Sequence, residues 1–252
     1  MHDQYGQVTA RYYDAAYAQL RDASGDVAWY HRLARDSGGP ILELGVGTGR
    51  VLLPIAAEGV ACTGLDASAA MLDALRAKRP PANLRLVEAR MQAFDLGSDR
   101  FPLVIAAFRV FQHLYTVEDQ LECLARVRRH LASGGALAFD VFVPRMARMG
   151  IPEEPEVEDA RFADGEDEIV RFTSVRRDAH AQLTNVRIRY ERSRAGQRVS
   201  DEVVEFAMRH FFRFELEHLL ARAGFGDVTW YGDFRGTPLG PDATDFVVVA
   251  RP

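Results

Sequence analysis

Three glycines at alternate positions, Gly45, Gly47 and Gly49, close the run Pro40–Arg50, which reads PILELGVGTGR. An apolar stretch leads in and a helical pattern leads out. Glycine adopts positive φ readily and, having no Cβ, lets another molecule approach the backbone closely. A helix that begins at such a turn presents N–H groups with no intrahelical partner. Asp66 follows in Gly64-Leu65-Asp66-Ala67-Ser68, at the tip of a second apolar run. An acid at that place can take both hydroxyls of a ribose. The chemistry offered by these residues is recognition of a nucleoside.

The spacing narrows the ligand. A dinucleotide site needs G-x-G-x-x-G, whose third glycine allows close helix–strand packing. This chain has G-x-G-x-G and then Arg50, which disfavours an NAD-dependent oxidoreductase. No Lys-Ser or Lys-Thr follows, so a phosphate-cradling loop of the GKS/T kind is excluded. A nucleoside without a pyrophosphate fits.

Glu43-Leu44-Gly45-Val46-Gly47-Thr48-Gly49-Arg50, followed by Gly64-Leu65-Asp66-Ala67-Ser68, resembles the class I S-adenosylmethionine-dependent methyltransferases. The resemblance extends over nearly the whole chain and is stronger in the cofactor half than in the substrate half. It implies a Rossmann-like α/β fold: a doubly wound, mostly parallel seven-stranded sheet, here with an antiparallel β insert after strand five. It implies S-adenosylmethionine as cofactor. Glu43, Gly45 and Gly47 then flank the methionine end, Asp66 binds the ribose, and Ala67 and Met71 cover the adenine. Backbone groups at Met91 and the side chain of Gln92 line the adenine edge, where Arg90 departs from the acid usual in the family.

These residues need elements to hold them. Two helices are read before the first strand, from Val8, Tyr12, Ala15, Ala16 and Leu20 and from Val27, Tyr30, Leu33 and Ala34. Strands are expected over 40–45, 61–66 and 84–88, with helices over 50–58 and 69–78. Ser68 caps the second of these helices. Phe101 to Phe108 is a continuous apolar run, as in a parallel strand buried on both faces. A helix from Val117, ended by Gly134-Gly135, precedes strand five over 136–143. Regular alternation stops at Pro144. Pro152–Pro155 reads as a loop, and 169–177, 183–192 and 199–211 alternate with period two, as three antiparallel strands. Their many Arg and Glu side chains read as a solvated face. A helix over 213–223 and strands over 227–233 and 245–250 complete the chain. The domains expected are 1–143 (an N-terminal helical lid and the cofactor-binding core), 144–212 (the insert, as substrate lid) and 213–252 (the end of the core).

Arg109 and His113 follow the buried run, at the carboxyl end of its strand, where open α/β sheets bind ligands. That places both near the transferring methyl. His113 is the candidate base, since an imidazole titrates near neutral pH; a structural histidine in that loop is the alternative. Arg109 can clamp an anionic substrate group or make a structural ion pair. By the resemblance, Tyr13 and Tyr17 belong to a segment that closes over cofactor and substrate, Tyr13 near the chemistry; packing of that segment against the domain is the alternative. Arg209 and His210, from the last strand of the insert, and Tyr231, from strand six, are further substrate candidates. His2, His31, His130, His180 and His218 are scattered, and no Cys/His spacing suits a metal.

The net charge of −5 in 252 residues argues against a general nucleic-acid binder. Cys62 and Cys123 sit in apolar patterns and read as buried thiols in a reducing compartment. No signal peptide and no membrane-length apolar run is visible, so a cytoplasmic protein is expected. The function expected is methylation of a small molecule on N or O by in-line displacement. N is slightly favoured, because the Tyr-Asp N-terminus, Phe111-Gln112-His113-Leu114 and the insert resemble secondary-metabolite and sugar-amine enzymes. The alternatives are a cofactor-binding protein without turnover, or a protein or RNA methyltransferase. Oligomeric state, a homodimer included, is not legible.

Overall fold

The computed structural model describes residues 5–20 and 24–252; His2 and the side chain of Leu20 lie outside them. In chain order the elements are α1 (Gln7–Leu20), α2 (Ser24–Ser37), β1 (Ile41–Leu44), α3 (Leu52–Ala57), β2 (Cys62–Asp66), α4 (Ala69–Ala77), β3 (Leu84–Glu88) and β4 (Phe101–Ala106). After a 3-10 turn, Val110–His113, come α5 (Val117–His130), β5 (Leu131–Phe142), α6 (Met146–Met149), β6 (Glu153–Asp164), β7 (Asp167–Asp178), β8 (Leu183–Arg194), β9 (Gln197–Arg209), α7 (Arg213–Arg222), β10 (Asp227–Tyr231) and β11 (Asp245–Arg251). They form two compact units, residues 24–143 with 211–252, and residues 5–20 with 144–210. The grouping sets α1 with the insert rather than with the core that follows it in sequence.

The larger unit is a seven-stranded sheet in the order β10-β11-β5-β4-β1-β2-β3. All its pairings are parallel except those of β11, which runs antiparallel to β5 and β10. β1 is buried along its whole length, and β4 at every residue but Pro102, as expected where helices cover both faces. Phe111, Phe139 and Phe211 stack in one apolar layer. Truncating one of these to Ala typically costs about 3–5 kcal/mol. Among the described residues, no helix is long and apolar enough to cross a membrane.

Some boundaries differ from the expected ones. β4 stops at Ala106, because Phe108 and Arg109 turn to positive φ. α5 ends at His130, before Gly134-Gly135. Leu131 already pairs with Phe101, and the glycines fall in the irregularity before Leu103 pairs with Ala136.

The smaller unit holds a four-stranded antiparallel sheet, β6-β7-β8-β9, so the expected three strands are four and the expected loop at Pro152–Pro155 begins the fourth. β6 is an edge strand, mostly exposed and bulged between Glu154 and Val157. Charges occupy both its faces and erase the period-two signal, and an edge tolerates Pro155. Ala195 and Gly196, both at positive φ, join β8 to β9, the geometry of a two-residue hairpin turn. Tyr12 of α1 is 1% exposed and stacks on Tyr190 at 4.8 Å and Phe162 at 5.8 Å. Its hydroxyl donates to Glu202 at 3.0 Å. The arginines expected to be a solvated face pair across strands, as Arg189 does with Glu156 at 2.6 Å.

Candidate active site

β1 delivers the chain to Gly45, where Val46 N donates to Leu65 O at 2.9 Å and ties the turn to β2. Gly45 has φ 63°, and a Cβ there would stand 2.3 Å from Val110 Cγ2. Only glycine satisfies both the backbone and the neighbour. Gly47 has φ 54°, but its Cβ direction is open, with nothing among the described residues within 4 Å. The turn thus packs tightly at Gly45 and leaves bare backbone facing space at Gly47.

Gly47 N donates to Asp66 Oδ2 at 2.8 Å, and Ser68 N to Asp66 Oδ1 at 2.9 Å. The partly exposed carboxylate at the tip of β2 therefore orders the glycine turn, and each oxygen has a further lone pair for another donor. Ser68 caps α4, accepting from Met71 N at 3.2 Å. Ala67 is exposed and Met71 buried. In the turn after β3, Met91 packs against the apolar core and Gln92 Nε2 donates to Asp119 Oδ1 at 3.3 Å. Arg90 is exposed.

Glu43 is buried in β1, 3% exposed, and its Oε2 has no hydrogen-bond partner among the described residues. Burial pushes its carboxyl up to about 8; Arg50 pulls the other way and Asp66 adds to the rise. Arg50 forks onto buried Asp26, Nη1 to Oδ1 at 3.0 Å and Nη2 to Oδ2 at 2.6 Å. Its guanidinium lies 4.9 Å from the Phe108 ring centroid.

At the carboxyl end of β4, Phe108 (φ 59°) and Arg109 (φ 64°) are both left-handed. For non-glycine residues this costs about 1–3 kcal/mol each. Asp140 of β5, fully buried, offsets that cost: its Oδ1 accepts from Phe108 N at 2.8 Å and from Tyr30 OH at 2.7 Å, and its Oδ2 from Arg109 N at 3.2 Å. Arg109 Nη2 pairs with Asp245 Oδ1 at 3.1 Å. His113, half-buried, closes the 3-10 turn. Buried Gln112 anchors that turn, its Oε1 accepting from Phe142 N at 3.1 Å. Tyr231 ends β10 and meets Trp29 edge-on at 6.2 Å.

The larger unit thus brings Glu43, Gly45, Gly47, Asp66, Ala67, Met71, Met91, Gln92, Arg109, His113 and Tyr231 to the carboxyl ends of its strands or the loops that leave them. In the smaller unit, Tyr13 and Tyr17 stack at 4.5 Å on α1, with the Arg171 guanidinium 5.4 Å from the Tyr17 ring. Arg209 Nη1 donates to Ala181 O and His210 N to Gln182 O, each at 2.8 Å. The His210 ring bonds the Thr184 hydroxyl, and burial, with Arg177 and Arg209 nearby, holds it below the usual imidazole range. Among the described residues no group of three or more His, Cys, Asp or Glu is placed to hold a metal.

Sequence reasoning missed Asp26, Tyr30, Gln112 and Asp140. A signal existed for Asp140: it is a lone acid inside the apolar run of β5, and charges are rarely buried without partners.

Residues 41–135 match the family model described as a methyltransferase domain. The cypemycin N-terminal methyltransferase of a Streptomyces species is 29% identical over 140 residues, 56% of this chain and 57% of that one. The chain spans about half the length of the curated relatives it matches. Among solved structures, the CcbJ methyltransferase of Streptomyces caelestis superposes with a TM-score of 0.78 at 25% identity over 99% of both chains. The sugar N-methyltransferase KedS8 of Streptoalloteichus superposes with 0.75 at 20% identity, over 95% of this chain and 92% of that one. Sheet order, reversed last strand and glycine turn define a Rossmann-like methyltransferase. Residues 41–135 are a methyltransferase domain, and the chain as a whole is similar in fold to class I S-adenosylmethionine-dependent methyltransferases.

Proposed function

We propose that this chain transfers a methyl group from S-adenosylmethionine to an amine nitrogen of a small molecule. The observation that carries the reading is the pairing of a buried, unpartnered Glu43 oxygen with the open backbone face at Gly47. A ligand with a cationic amino group and a nucleoside meets both needs, since a buried carboxyl oxygen without a hydrogen-bond partner is costly. When bound, the cofactor supplies a methyl group already activated on a sulfonium. In the proposal Glu43 accepts from its amino group, and Gly45 and Gly47 leave room for its amino-acid end. Asp66 accepts from the ribose, and Ala67, Met71, Met91 and Gln92 border the adenine.

The protein's remaining tasks are alignment and water exclusion; alignment supplies about 7–11 kcal/mol in such displacements. An acceptor amine is protonated near neutral pH and must lose a proton before it can attack. We assign that proton to a ring nitrogen of His113. Arg109, held by Asp245, orients the same loop. Tyr231 borders the acceptor from β10. Tyr13, Tyr17, Arg209 and His210 are proposed as acceptor-side groups, tested through acceptor KM.

Nitrogen is preferred over oxygen because one of the similar proteins is by name a sugar N-methyltransferase and another an N-terminal methyltransferase. The test is labelled methyl transfer from S-adenosylmethionine into separate pools of small amines and small phenols or alcohols. Label in the amine pool is expected. Label only in the hydroxyl pool would move the acceptor to oxygen. Adenosylhomocysteine binding without transfer to either pool would favour a binding protein without turnover.

A further inference from the structure

We propose that Asp140, with Tyr30 behind it, is the positioning residue that sets the Phe108–Leu114 loop for methyl transfer. The inference rests on the reading above, because the loop carries the proposed base.

The register explains why the acid stands where it does. β4 and β5 pair in parallel up to Ala106 with Phe139. Asp140 is one position further, opposite the point at which β4 has stopped being a strand. Two backbone N–H groups there have left the ladder, and both find the Asp140 carboxylate. A buried carboxylate holding two backbone donors fixes two successive peptide planes. Those planes are at Phe108 and Arg109, a bulky pair in the left-handed region that L side chains avoid. Without the carboxylate, extended backbone at these residues is preferred, and the 3-10 turn that follows would swing. The bond from Tyr30 on α2 holds the carboxylate itself in place. The phenol is fully buried, and burial, with Asp140 beside it, raises its pKa well above the ordinary value, so it remains a donor.

Two consequences reach the site. Val110, the first residue of the turn, covers Gly45 so closely that a Cβ would meet it at 2.3 Å. His113, three residues on, takes its place from the same turn. A displacement of about 1 Å in a positioning element can cost about 100-fold in rate. Buried Gln112 anchors the far end of the turn to Phe142, so a change at Asp140 loosens the near end first.

The test uses the full chain with Asp140→Asn and Tyr30→Phe, and Val141→Ala as a buried neighbour that contributes only packing. Three readouts are taken: amide hydrogen exchange of the peptide covering 107–114, adenosylhomocysteine affinity by calorimetry, and labelled transfer into the amine pool. For Asp140→Asn, faster exchange confined to 107–114 is expected, with affinity changed less than about tenfold and transfer down about 100-fold. Tyr30→Phe should shift the same readouts in the same direction by a smaller factor. Val141→Ala should lower Tm without the loop signature or the rate loss. If Asp140→Asn does not fold, Tyr30→Phe decides.

Unchanged exchange at 107–114 in the folded variants would overturn the proposal. So would faster exchange there with undiminished transfer, or an equal rate loss in Val141→Ala. Failure of the parent chain to bind adenosylhomocysteine or to transfer label strikes the methyl-transfer reading instead, and the exchange arm still decides whether Asp140 holds the turn.

Discussion

The backbone N–H of Gly47 donates to Asp66 Oδ2 at 2.8 Å, joining the glycine turn after β1 to the acid at the tip of β2. One carboxylate therefore shapes the turn and stays partly exposed at the sheet's carboxyl edge. Asp66→Ala removes both services. Adenosylhomocysteine affinity is expected to fall at least about tenfold, or about 1.4 kcal/mol, and Asp66→Asn by less. Calorimetry measures it, and an unaltered Kd would take Asp66 out of the site.

Gly47→Ala separates strain from space. The added methyl meets nothing within 4 Å among the described residues but must sit at φ 54°. A stability loss of about 1–2 kcal/mol is expected from the left-handed backbone alone, read by denaturant unfolding. The methyl also points where the bare backbone faces open space, so cofactor affinity should fall beyond what stability explains. A variant that binds adenosylhomocysteine like the parent would show that the ligand does not use that face.

Glu43 makes stability depend on pH. Its folded carboxyl lies near 8 instead of the ordinary 4.5, chiefly through burial. The neutral form is thus favoured in the fold. Its contribution is fully present below about 4.5 and is lost as pH rises through about 8. Unfolding free energy of the parent, relative to Glu43→Gln, should decline across that window and be flat on either side. A cationic amino group brought next to Glu43 would draw its pKa down. Adenosylhomocysteine binding near pH 7 should therefore release protons, measurable as a dependence of the calorimetric heat on buffer ionisation enthalpy. Equal proton release by Glu43→Gln would assign the effect elsewhere.

His113→Ala should lower amine methylation by about 10²–10⁴-fold, the range for a lost general base, while adenosylhomocysteine affinity holds. The rise of rate with pH that reports the imidazole should vanish, leaving only the titration of the acceptor amine. An intact pH profile in the variant would assign His113 to loop structure.

What the amino-acid order determined was local and periodic. Continuous apolar runs marked β1 and β4, the serine before an Ala-Met-Leu run marked α4, and three alternate glycines marked a turn that must take positive φ. Each depends on a few adjacent residues, so the parallel layers and the glycine turn were readable. β6 was not, because an exposed edge strand bulged at two places carries no alternation. The ends of β4 and α5 were misplaced because positive φ at Phe108 and Arg109, and a strand that begins at Leu131, are decided by neighbours across the sheet.

Tertiary structure alone decided the partners of the charged groups. It set Asp140 under a turn 31 and 32 residues earlier in the chain, and it closed Arg50 on Asp26. It also left one oxygen of Glu43 buried without a donor among the described residues. Hydrogen bonds between groups far apart in sequence leave no periodic trace, and the free energy of a buried charge depends on which donors the fold brings to it.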